Sequence, residues 1–327
     1  MTERLLDVED LSVRFGTRTG VAEVVTGLTY HVDRGETVAI VGESGSGKSV
    51  SSLALLQLLP TPPARVSGSA RFEGDDLLSM NERGIRAIRG NRIAMIFQDP
   101  MTSLNPVRTV GFQLIEPIEL HTGIKGDEAR RKAIELLGLV GIPSPSERID
   151  DYPHQFSGGM RQRVMIAMGI SCQPDLLIAD EATTALDVTT QAQIIEELDE
   201  LQSRFGMGLI WITHDLGVVA GIADRVVVLY GGRIMEEAPV DDLFEERRHP
   251  YTRALIASLP RPGTDRPHRL TAIAGLPPDP LKMPPGCPFA PRCPHAVDRC
   301  HTERPALRSP VPGHRVACHF DPEELYE

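Results

Sequence analysis

The pattern of apolar and polar residues divides the first third of the chain into short strands. These runs lie at Leu5–Phe15, Gly27–Val32, Thr37–Val41 and Ser67–Leu77. Between about residues 111 and 155 the apolar spacing becomes helical, with a clear stripe in the segment that starts at Asp127. The first half of the chain therefore predicts a β-rich region followed by a helical one.

Residues from about 156 to 238 alternate between helices and strands. We expect helices from Ser157 and over Gln191–Phe205, strands at Leu176–Ala179 and Leu209–Thr213, and a hairpin of Arg225–Tyr230 and Arg233–Glu236. The dipeptide Gly231-Gly232 suits the turn of that hairpin. This alternation is typical of a parallel sheet with helices on both faces, so the predicted fold class is α/β.

The last region has a different composition. Of the 27 prolines, 14 fall between Pro260 and Pro312. Proline lacks an amide hydrogen, so this stretch cannot form long helices or central strands. Four of the five cysteines lie between Cys287 and Cys318, and they are the candidates for holding an otherwise irregular extension together.

Charge and hydropathy restrict the classes of function. The net charge is −11, which argues against nucleic-acid binding because phosphate contacts need a basic surface. No apolar run approaches the roughly 18–20 residues that span a bilayer, and the N-terminus lacks the apolar core of a signal peptide. We expect a cytosolic or peripheral protein that acts on a membrane only through partner subunits.

A glycine-rich loop supplies the first candidate chemistry. The segment from Gly42 to Ser49 fits G-x-x-x-x-G-K-[ST] and follows the apolar strand Thr37–Val41. Its candidate nucleotide-binding residues are Gly42, Ser44, Gly45, Gly47, Lys48 and Ser49. We expect Lys48 to reach the β- and γ-phosphates of ATP and Ser49 to bind Mg²⁺.

Two carboxylates at the end of another apolar strand are the second candidate for chemistry. Asp180 and Glu181 follow Leu176–Ala179, at the strand end where open parallel sheets bind ligands. Asp180 suits the Mg²⁺ shell, and Glu181 suits a general base for water. His214 follows the next strand, and from position alone it is either a surface residue or a γ-phosphate contact.

A segment at the predicted helix start carries a family resemblance. Ser157, Gly158 and Gly159 are followed by Met160 and a basic run, and this resembles the ABC signature, usually Leu-Ser-Gly-Gly-Gln. Phe156 and Met160 replace the first and last signature residues. The resemblance implies a P-loop core with an antiparallel β-subdomain and a helical subdomain. It also implies that Ser157 and its glycines contact ATP held by a second subunit.

The resemblance to the ABC family covers about residues 4–240 and assigns further roles. Gln98 looks like the Q-loop residue that links Mg²⁺ and water to a transmembrane partner. Thr184 to Asp187 looks like the D-loop, and His214 looks like the switch histidine. Phe15 looks like the aromatic residue that stacks on adenine, with a core phenylalanine as the alternative.

Two features narrow the resemblance to one group within the ABC family. The signature variant and the segment from His249 to Thr252, followed by the cysteine-bearing tail, resemble the ATPases of dipeptide and oligopeptide importers. This implies an ABC nucleotide-binding domain over residues 1–244, with its helical subdomain at about 111–172, and an importer-type extension over 245–327. The alternatives are a motor for nickel or another small solute, and a soluble ABC ATPase of DNA repair or translation.

The same resemblance implies the partners. They are two transmembrane permease subunits, a second ABC ATPase, which in related importers is often a nonidentical chain, and an external solute-binding protein reached through the complex. The implied location is the cytoplasmic face of the cell membrane, where the chain would be peripheral.

The four tail cysteines suggest a metal centre. Four thiolates can hold Zn²⁺ or an iron–sulfur cluster, and the spacing lacks both tight C-x-x-C pairs and ferredoxin gaps. The residues are Cys287, Cys293, Cys300 and Cys318. Resemblance to the importer group favours a [4Fe–4S] cluster, while Zn²⁺, with or without a nearby histidine, and free or oxidised thiols stay open.

Overall fold

The computed structural model describes residues 3–183, 187–259 and 273–321. Three of the four predicted D-loop residues, 184–186, therefore lie outside the described residues. The described residues form two compact units. One is drawn from the ranges 3–5, 32–36, 80–183 and 187–212, and the other from 6–31, 37–79, 213–259 and 273–321. Each unit is described by itself below.

The described chain contains twelve strands. They are β1 Arg4–Thr17, β2 Gly20–Asp33, β3 Thr37–Val41, β4 Ala64–Phe72, β5 Asp75–Asp76, β6 Ile93–Ile96, β7 Leu176–Asp180, β8 Gly208–Thr213, β9 Arg225–Tyr230, β10 Arg233–Pro239, β11 Arg308–Val311 and β12 His314–Val316.

The described chain also contains twelve α-helices, with 3₁₀ turns at Pro153–Gln155 and Ala290–Arg292. The helices are α1 Lys48–Leu55, α2 Glu82–Ile88, α3 Pro100–Ser103, α4 Val110–Thr122, α5 Asp127–Leu139, α6 Pro145–Arg148, α7 Gly158–Ile170, α8 Val188–Phe205, α9 Leu216–Ile222, α10 Val240–Glu245, α11 Pro250–Ala257 and α12 Asp298–Thr302. In the part of the chain that the structure describes, none of them is long and apolar enough to cross a membrane.

The antiparallel sheet has the strand order β2-β1-β4-β5. Strand β1 pairs with β4 from Leu6 opposite Phe72, and β4 pairs with β5, both antiparallel. Leu6, Val8 and Val13 of β1 are fully buried, as a half-buried strand with period-two patterning requires. This sheet matches the expected antiparallel β-subdomain.

Each unit also contains parallel strands. In the first unit β6, β7 and β8 are adjacent and parallel. In the second unit β3 lies parallel to β9, and β10 then runs antiparallel to β9. All five residues of β3 and of β7 are buried, as is typical of parallel strands covered on both faces. The α/β fold class is confirmed.

The C-terminal extension has more regular structure than its proline content predicts. Strand β12 pairs with β10, with Glu236 opposite Val316, and β11 then pairs with β12. Pro310 lies in β11, whose only strand partner in the described region is β12. Proline is tolerated at such an edge because an outward-facing amide is not needed for a ladder. The extension thus adds a short hairpin that the sequence pattern did not predict.

Candidate functional site

The glycine-rich loop connects a buried strand to a helix in the second unit. Strand β3 ends at Val41, the loop runs from Gly42 to Gly47, and α1 begins at Lys48. Gly47 caps the helix in the left-handed region at φ 99°, which only glycine adopts readily. The loop and the helix N-terminus therefore have the strand–loop–helix context of a phosphate-binding site.

Two of the loop glycines are required by close backbone approach. A Cβ on Gly42 would lie 2.2 Å from the carbonyl oxygen of Leu229, and one on Gly47 would lie 2.7 Å from that of Val24. Gly45 has open space around it but a φ of +78°. The loop is thus packed tightly at its two ends and exposed at Ser44 and Gly45, near its centre.

The Lys48 side chain forms hydrogen bonds with the backbone of the loop. Its side chain is largely buried, and Nζ donates to the carbonyl oxygens of Gly42 at 2.8 Å and Glu43 at 3.1 Å. Ser49, the next residue, is partly exposed on the first turn of α1. An ammonium group and a hydroxyl thus stand at the start of this helix, as the predicted phosphate and Mg²⁺ contacts require.

The acidic residues and the predicted Q-loop residue come together in the first unit. Asp180 is the buried last residue of β7, and Glu181 follows it with φ 49°. The Glu181 amide donates to the carbonyl of Ile212 at 2.9 Å. Gln98, two residues beyond β6, donates from Nε2 to Oε2 of Glu181 at 2.7 Å. Because β6 and β7 are parallel neighbours, their carboxyl ends bring these two side chains into contact.

The signature segment forms the N-terminus of α7. Ser157 is the N-cap, and its Oγ accepts a hydrogen bond from the amide of Met160 at 3.3 Å. Ser157 and Gly158 are exposed, and a Cβ on Gly159 would lie 3.0 Å from Thr190 of α8. The positive end of a 13-residue helix is thus exposed and lined by small residues.

Two other predicted site residues lie on or directly after strands. His214 is exposed directly after β8, in the second unit. Phe15 is half-buried on β1, opposite Ala64 of β4. Their proposed contacts with phosphate and adenine stay predictions.

The four tail cysteines line one cavity. The cavity is shared by Cys287, Cys293, Cys300 and Cys318 together with His249 and His295. All four thiols are free, and burial raises the pKa of Cys287 to about 11 and also raises those of Cys293 and Cys318. Metal binding would displace these thiol protons.

The cysteine sulfurs do not form a tight group of three. Within the described residues, no three sulfur atoms of this set lie within 4.8 Å of one another. A backbone bond from Cys287 N–H to the Cys300 carbonyl, at 2.8 Å, joins two of the cysteine-bearing turns. The fifth cysteine, Cys172, lies outside the cavity in the first unit, and its thiol donates to the Pro117 carbonyl.

Comparisons with known proteins agree with this geometry. A family model described as ABC transporter matches residues 25–184, and one described as the oligopeptide/dipeptide transporter C-terminal region matches residues 235–300. The chain is 51% identical to the dipeptide transport ATP-binding protein DppD of Escherichia coli, over 97% of this chain and 96% of that protein. It is 50% identical to the oligopeptide transport ATP-binding protein OppD of Bacillus subtilis, over 93% of this chain and 85% of that protein.

This chain belongs to the ATP-binding subunits of the ABC transporter family. Solved ABC cassettes share the fold of this subunit. The cassette MJ0796, in a dimeric post-hydrolysis state with ADP and Pi, is 25% identical with a TM-score of 0.64, over 72% of this chain and 98% of that one. The cassette cbiO1 of Clostridium perfringens, part of the transporter complex cbiONQ, is 28% identical with a TM-score of 0.62, over 75% and 92%. The subunit is therefore a transport ATPase.

The structure also reveals contacts of the ABC subunit that sequence reasoning missed. Glu43, the second residue of the phosphate loop, pairs with Arg292 of the C-terminal extension, and its amide donates to Tyr251 Oη. Arg292 and Glu43 are 249 residues apart, so no spacing rule connects them. The only sequence signals were the position of Arg292 beside Cys293 and of Tyr251 in the segment that resembles the importer group.

Proposed function

We propose that this chain is the ATP-hydrolysing subunit that energises import of di- and oligopeptides across the cytoplasmic membrane. The observation that carries the hydrolytic role is Glu181, fixed at the end of β7 and hydrogen-bonded to Gln98. The importer role and the peptide cargo are supported by the relatives that transport peptides and by the match of the C-terminal region.

The phosphate loop binds the triphosphate of ATP in this proposal. Lys48 exchanges its two loop carbonyls for the β- and γ-phosphate oxygens, while the α1 N-terminus faces the same negative charge. Ser44, Gly45 and Gly47 contribute backbone amides, and Phe15 stacks on the adenine ring. These contacts position the nucleotide but do not by themselves activate water.

Asp180, Ser49 and the amide oxygen of Gln98 are hard oxygen donors of the kind that Mg²⁺ prefers. The amide nitrogen of Gln98 is already used by Glu181, so its oxygen remains for the cation. Mg²⁺, when bound, neutralises charge on the phosphate oxygens. Asp180 is nearly fully buried, so an opposite charge next to it would offset its desolvation.

Glu181 accepts a proton from the attacking water as general base. Gln98 orients this carboxylate through its hydrogen bond, and His214 contacts the γ-phosphate or the water. Ser157, Gly158 and Gly159 contact the γ-phosphate of an ATP held by a second ABC ATPase, through the exposed N-terminus of α7. Closure of the two ATPases drives two transmembrane permease subunits, which receive cargo from an external solute-binding protein.

A capture experiment tests this assignment of partners. Glu181→Gln, loaded with ATP, is recovered from detergent-solubilised native membranes and its partners are identified by mass spectrometry. We expect two multi-spanning subunits and a second ATPase, at the cytoplasmic face of the membrane. Lys48→Ala is the matched control and should recover them poorly, since it lacks the bound triphosphate. Ribosomal or DNA-repair components without membrane proteins would contradict the transport role.

The tail cysteines hold a [4Fe–4S] cluster in this proposal. Four thiol ligands around one cavity fit such a group, and a mononuclear zinc site is less suitable. Tetrahedral Zn²⁺ with Zn–S bonds of about 2.3 Å places its sulfurs about 3.8 Å apart. No three of these described sulfurs lie within even 4.8 Å of one another. Four cysteines around one cavity suit a polynuclear centre, whose role in this proposal is to hold the proline-rich extension together.

Metal analysis tests the cluster. Protein purified without oxygen should contain about four irons and four sulfides per chain and lose them in Cys300→Ser. Cys172→Ser, outside the cavity, should retain the full content. One zinc per chain without iron would contradict the cluster and support the zinc alternative.

A further inference from the structure

A buried ion pair joins the C-terminal extension to the phosphate loop. The Arg292 side chain is only 5% exposed, and its guanidinium binds the Glu43 carboxylate through both terminal nitrogens. The two distances are 2.7 Å from Nη1 to Oε2 and 3.1 Å from Nη2 to Oε1. Bidentate pairing of this kind fixes orientation as well as position, because two parallel bonds resist rotation.

Arg292 is itself held rigidly by its surroundings. Nε donates to the carbonyl of Ala274 at 2.9 Å, Nη2 to that of Ile273 at 3.0 Å, and Nη1 to Tyr230 Oη at 3.0 Å. Every nitrogen of the guanidinium is thus engaged. The extension therefore presents Arg292 to the loop as a fixed group and not as a mobile surface side chain.

A second contact holds the same loop residue through its backbone. The Glu43 amide donates to Tyr251 Oη at 3.0 Å, and Tyr251 is fully buried against Tyr230 and Phe289. Phe289 lies in the cysteine-bearing tail, between Cys287 and Arg292. The loop is therefore attached to the extension by the side chain and by the main chain of one residue.

Glu43 also stands at the centre of the loop's internal bonds. Its carbonyl oxygen accepts from Lys48 Nζ and from the amide of Ser46 at 3.2 Å. A displacement of Glu43 would consequently disturb the bonds that its carbonyl oxygen accepts from Lys48 and from the amide of Ser46. The position of Glu43 is thus linked directly to the lysine that is proposed to bind phosphate.

We propose that Arg292 is a positioning residue for ATP binding, acting through Glu43 to hold the phosphate loop in its binding-competent shape. The inference rests on the ATP site proposed above. It assigns to the extension a direct role in nucleotide affinity, in addition to any role of its cysteines. Arg292 touches neither nucleotide nor water in this account.

Equilibrium binding of Mg·ATP to the purified full chain tests the inference. The measurements use a Glu181→Gln background, so that hydrolysis does not deplete the ligand. Arg292→Met and Glu43→Gln should each weaken binding about tenfold, within the range of typical coupling between sites. Arg292→Lys should recover only part of the affinity, because an ammonium group cannot form the bidentate pair.

Two further readouts separate positioning from general damage. The double variant Arg292→Met/Glu43→Gln should bind no more weakly than the worse single variant, since both changes break one contact. In the assembled transporter with native Glu181, the single variants should raise the KM for ATP while kcat stays within about twofold. Arg299→Met, which breaks an exposed pair with Glu303 in the same extension, is the matched control and should leave affinity unchanged.

The outcomes are distinguishable. If Arg292→Met fails to fold, the affinity of Glu43→Gln for Mg·ATP decides the question. This variant keeps the tail residues unchanged and removes only the negative charge of the loop residue. The inference would be overturned if Glu43→Gln and Arg292→Lys bound Mg·ATP as tightly as the parent while Lys48→Ala did not. The proposed ATP site would then still be supported. Parent-like affinity in Lys48→Ala would overturn the proposed site and the inference with it.

Discussion

At the scale of single residues, the proposed hydrolytic centre depends on a strained position. Glu181 adopts φ 49°, a left-handed conformation that destabilises a non-glycine residue by about 1–2 kcal/mol. The amide bond to Ile212 and the side-chain bond from Gln98 hold it there. Strain of this kind is retained where the surrounding structure over-determines it, and it commonly lies at functional sites.

Replacement of the proposed base should separate binding from hydrolysis. Glu181→Gln retains the size of the side chain but cannot accept a proton, so ATP should still bind while turnover falls at least 10²-fold, as is typical of general bases. Phosphate release under saturating ATP measures the effect. Glu200→Gln, on the exposed face of α8, is the matched control and should turn over normally. Near-normal turnover in Glu181→Gln would remove Glu181 from this role.

Close packing at the start of the phosphate loop gives a second residue-scale prediction. Gly42→Ala would place a Cβ 2.2 Å from the Leu229 carbonyl oxygen, so the backbone must move. We expect ATP binding to be lost and the free energy of unfolding to fall by about 2–4 kcal/mol. Gly35→Ala also has a left-handed φ but no atom within 4 Å of the new Cβ, so it should lose only about 1–2 kcal/mol. Chemical denaturation compares the two, and equal losses would show that the clash with Leu229 is unimportant.

At the scale of elements, the sequence pattern predicted those strands and helices whose formation depends mainly on neighbouring residues. Strand β3 matches its expected bounds, and α7 begins at Gly158, one residue after the predicted helix start at Ser157. The β2 strand begins at Gly20 and not at Gly27, because its first residues gain strand structure from pairing with β1. The contact between Gln98 and Glu181 could be expected once both were placed at parallel strand ends.

Contacts across long sequence separations could not be predicted in this way. The hairpin of β11 and β12 exists because β12 adds to β10, and neither strand has a strong apolar pattern. The pair of Glu43 and Arg292 likewise depends on the tertiary path of the extension. A sequence identifies which side chains can form such bonds, but the chain path decides which of them meet.

The attachment of that hairpin gives an element-scale prediction. Glu236 of β10 is fully buried, and its carboxylate accepts from the amides of Arg248 and His249 and contacts His314 Nε2 at 2.7 Å. Glu236→Ala would remove the partner of three polar groups, two of which are buried, so the free energy of unfolding should fall by about 3–5 kcal/mol. Denaturant unfolding measures this change. The exposed Glu245→Ala should have little effect, and a similarly small effect of Glu236→Ala would contradict a structural role for this bond network.

At the scale of the whole molecule, the chain combines a general motor with a specialised extension. The motifs between Gly42 and His214 belong to the ABC ATPase chemistry, whereas the match over residues 235–300 identifies the peptide-transporter type. Cargo recognition belongs to the permeases and the solute-binding protein in our proposal. The extension contacts the loop that is proposed to bind ATP, through Arg292 and Tyr251.

Peptide uptake by the reconstituted complex tests the central claim most directly. The chain is purified with its membrane partners, placed in proteoliposomes with ATP on the side of the ATPases, and given a labelled dipeptide with its binding protein outside. We predict uptake against a gradient that requires ATP and is abolished by Glu181→Gln, while the variant complex still assembles. Uptake that persists in Glu181→Gln, or a complex that hydrolyses ATP normally without moving any peptide, would contradict the account.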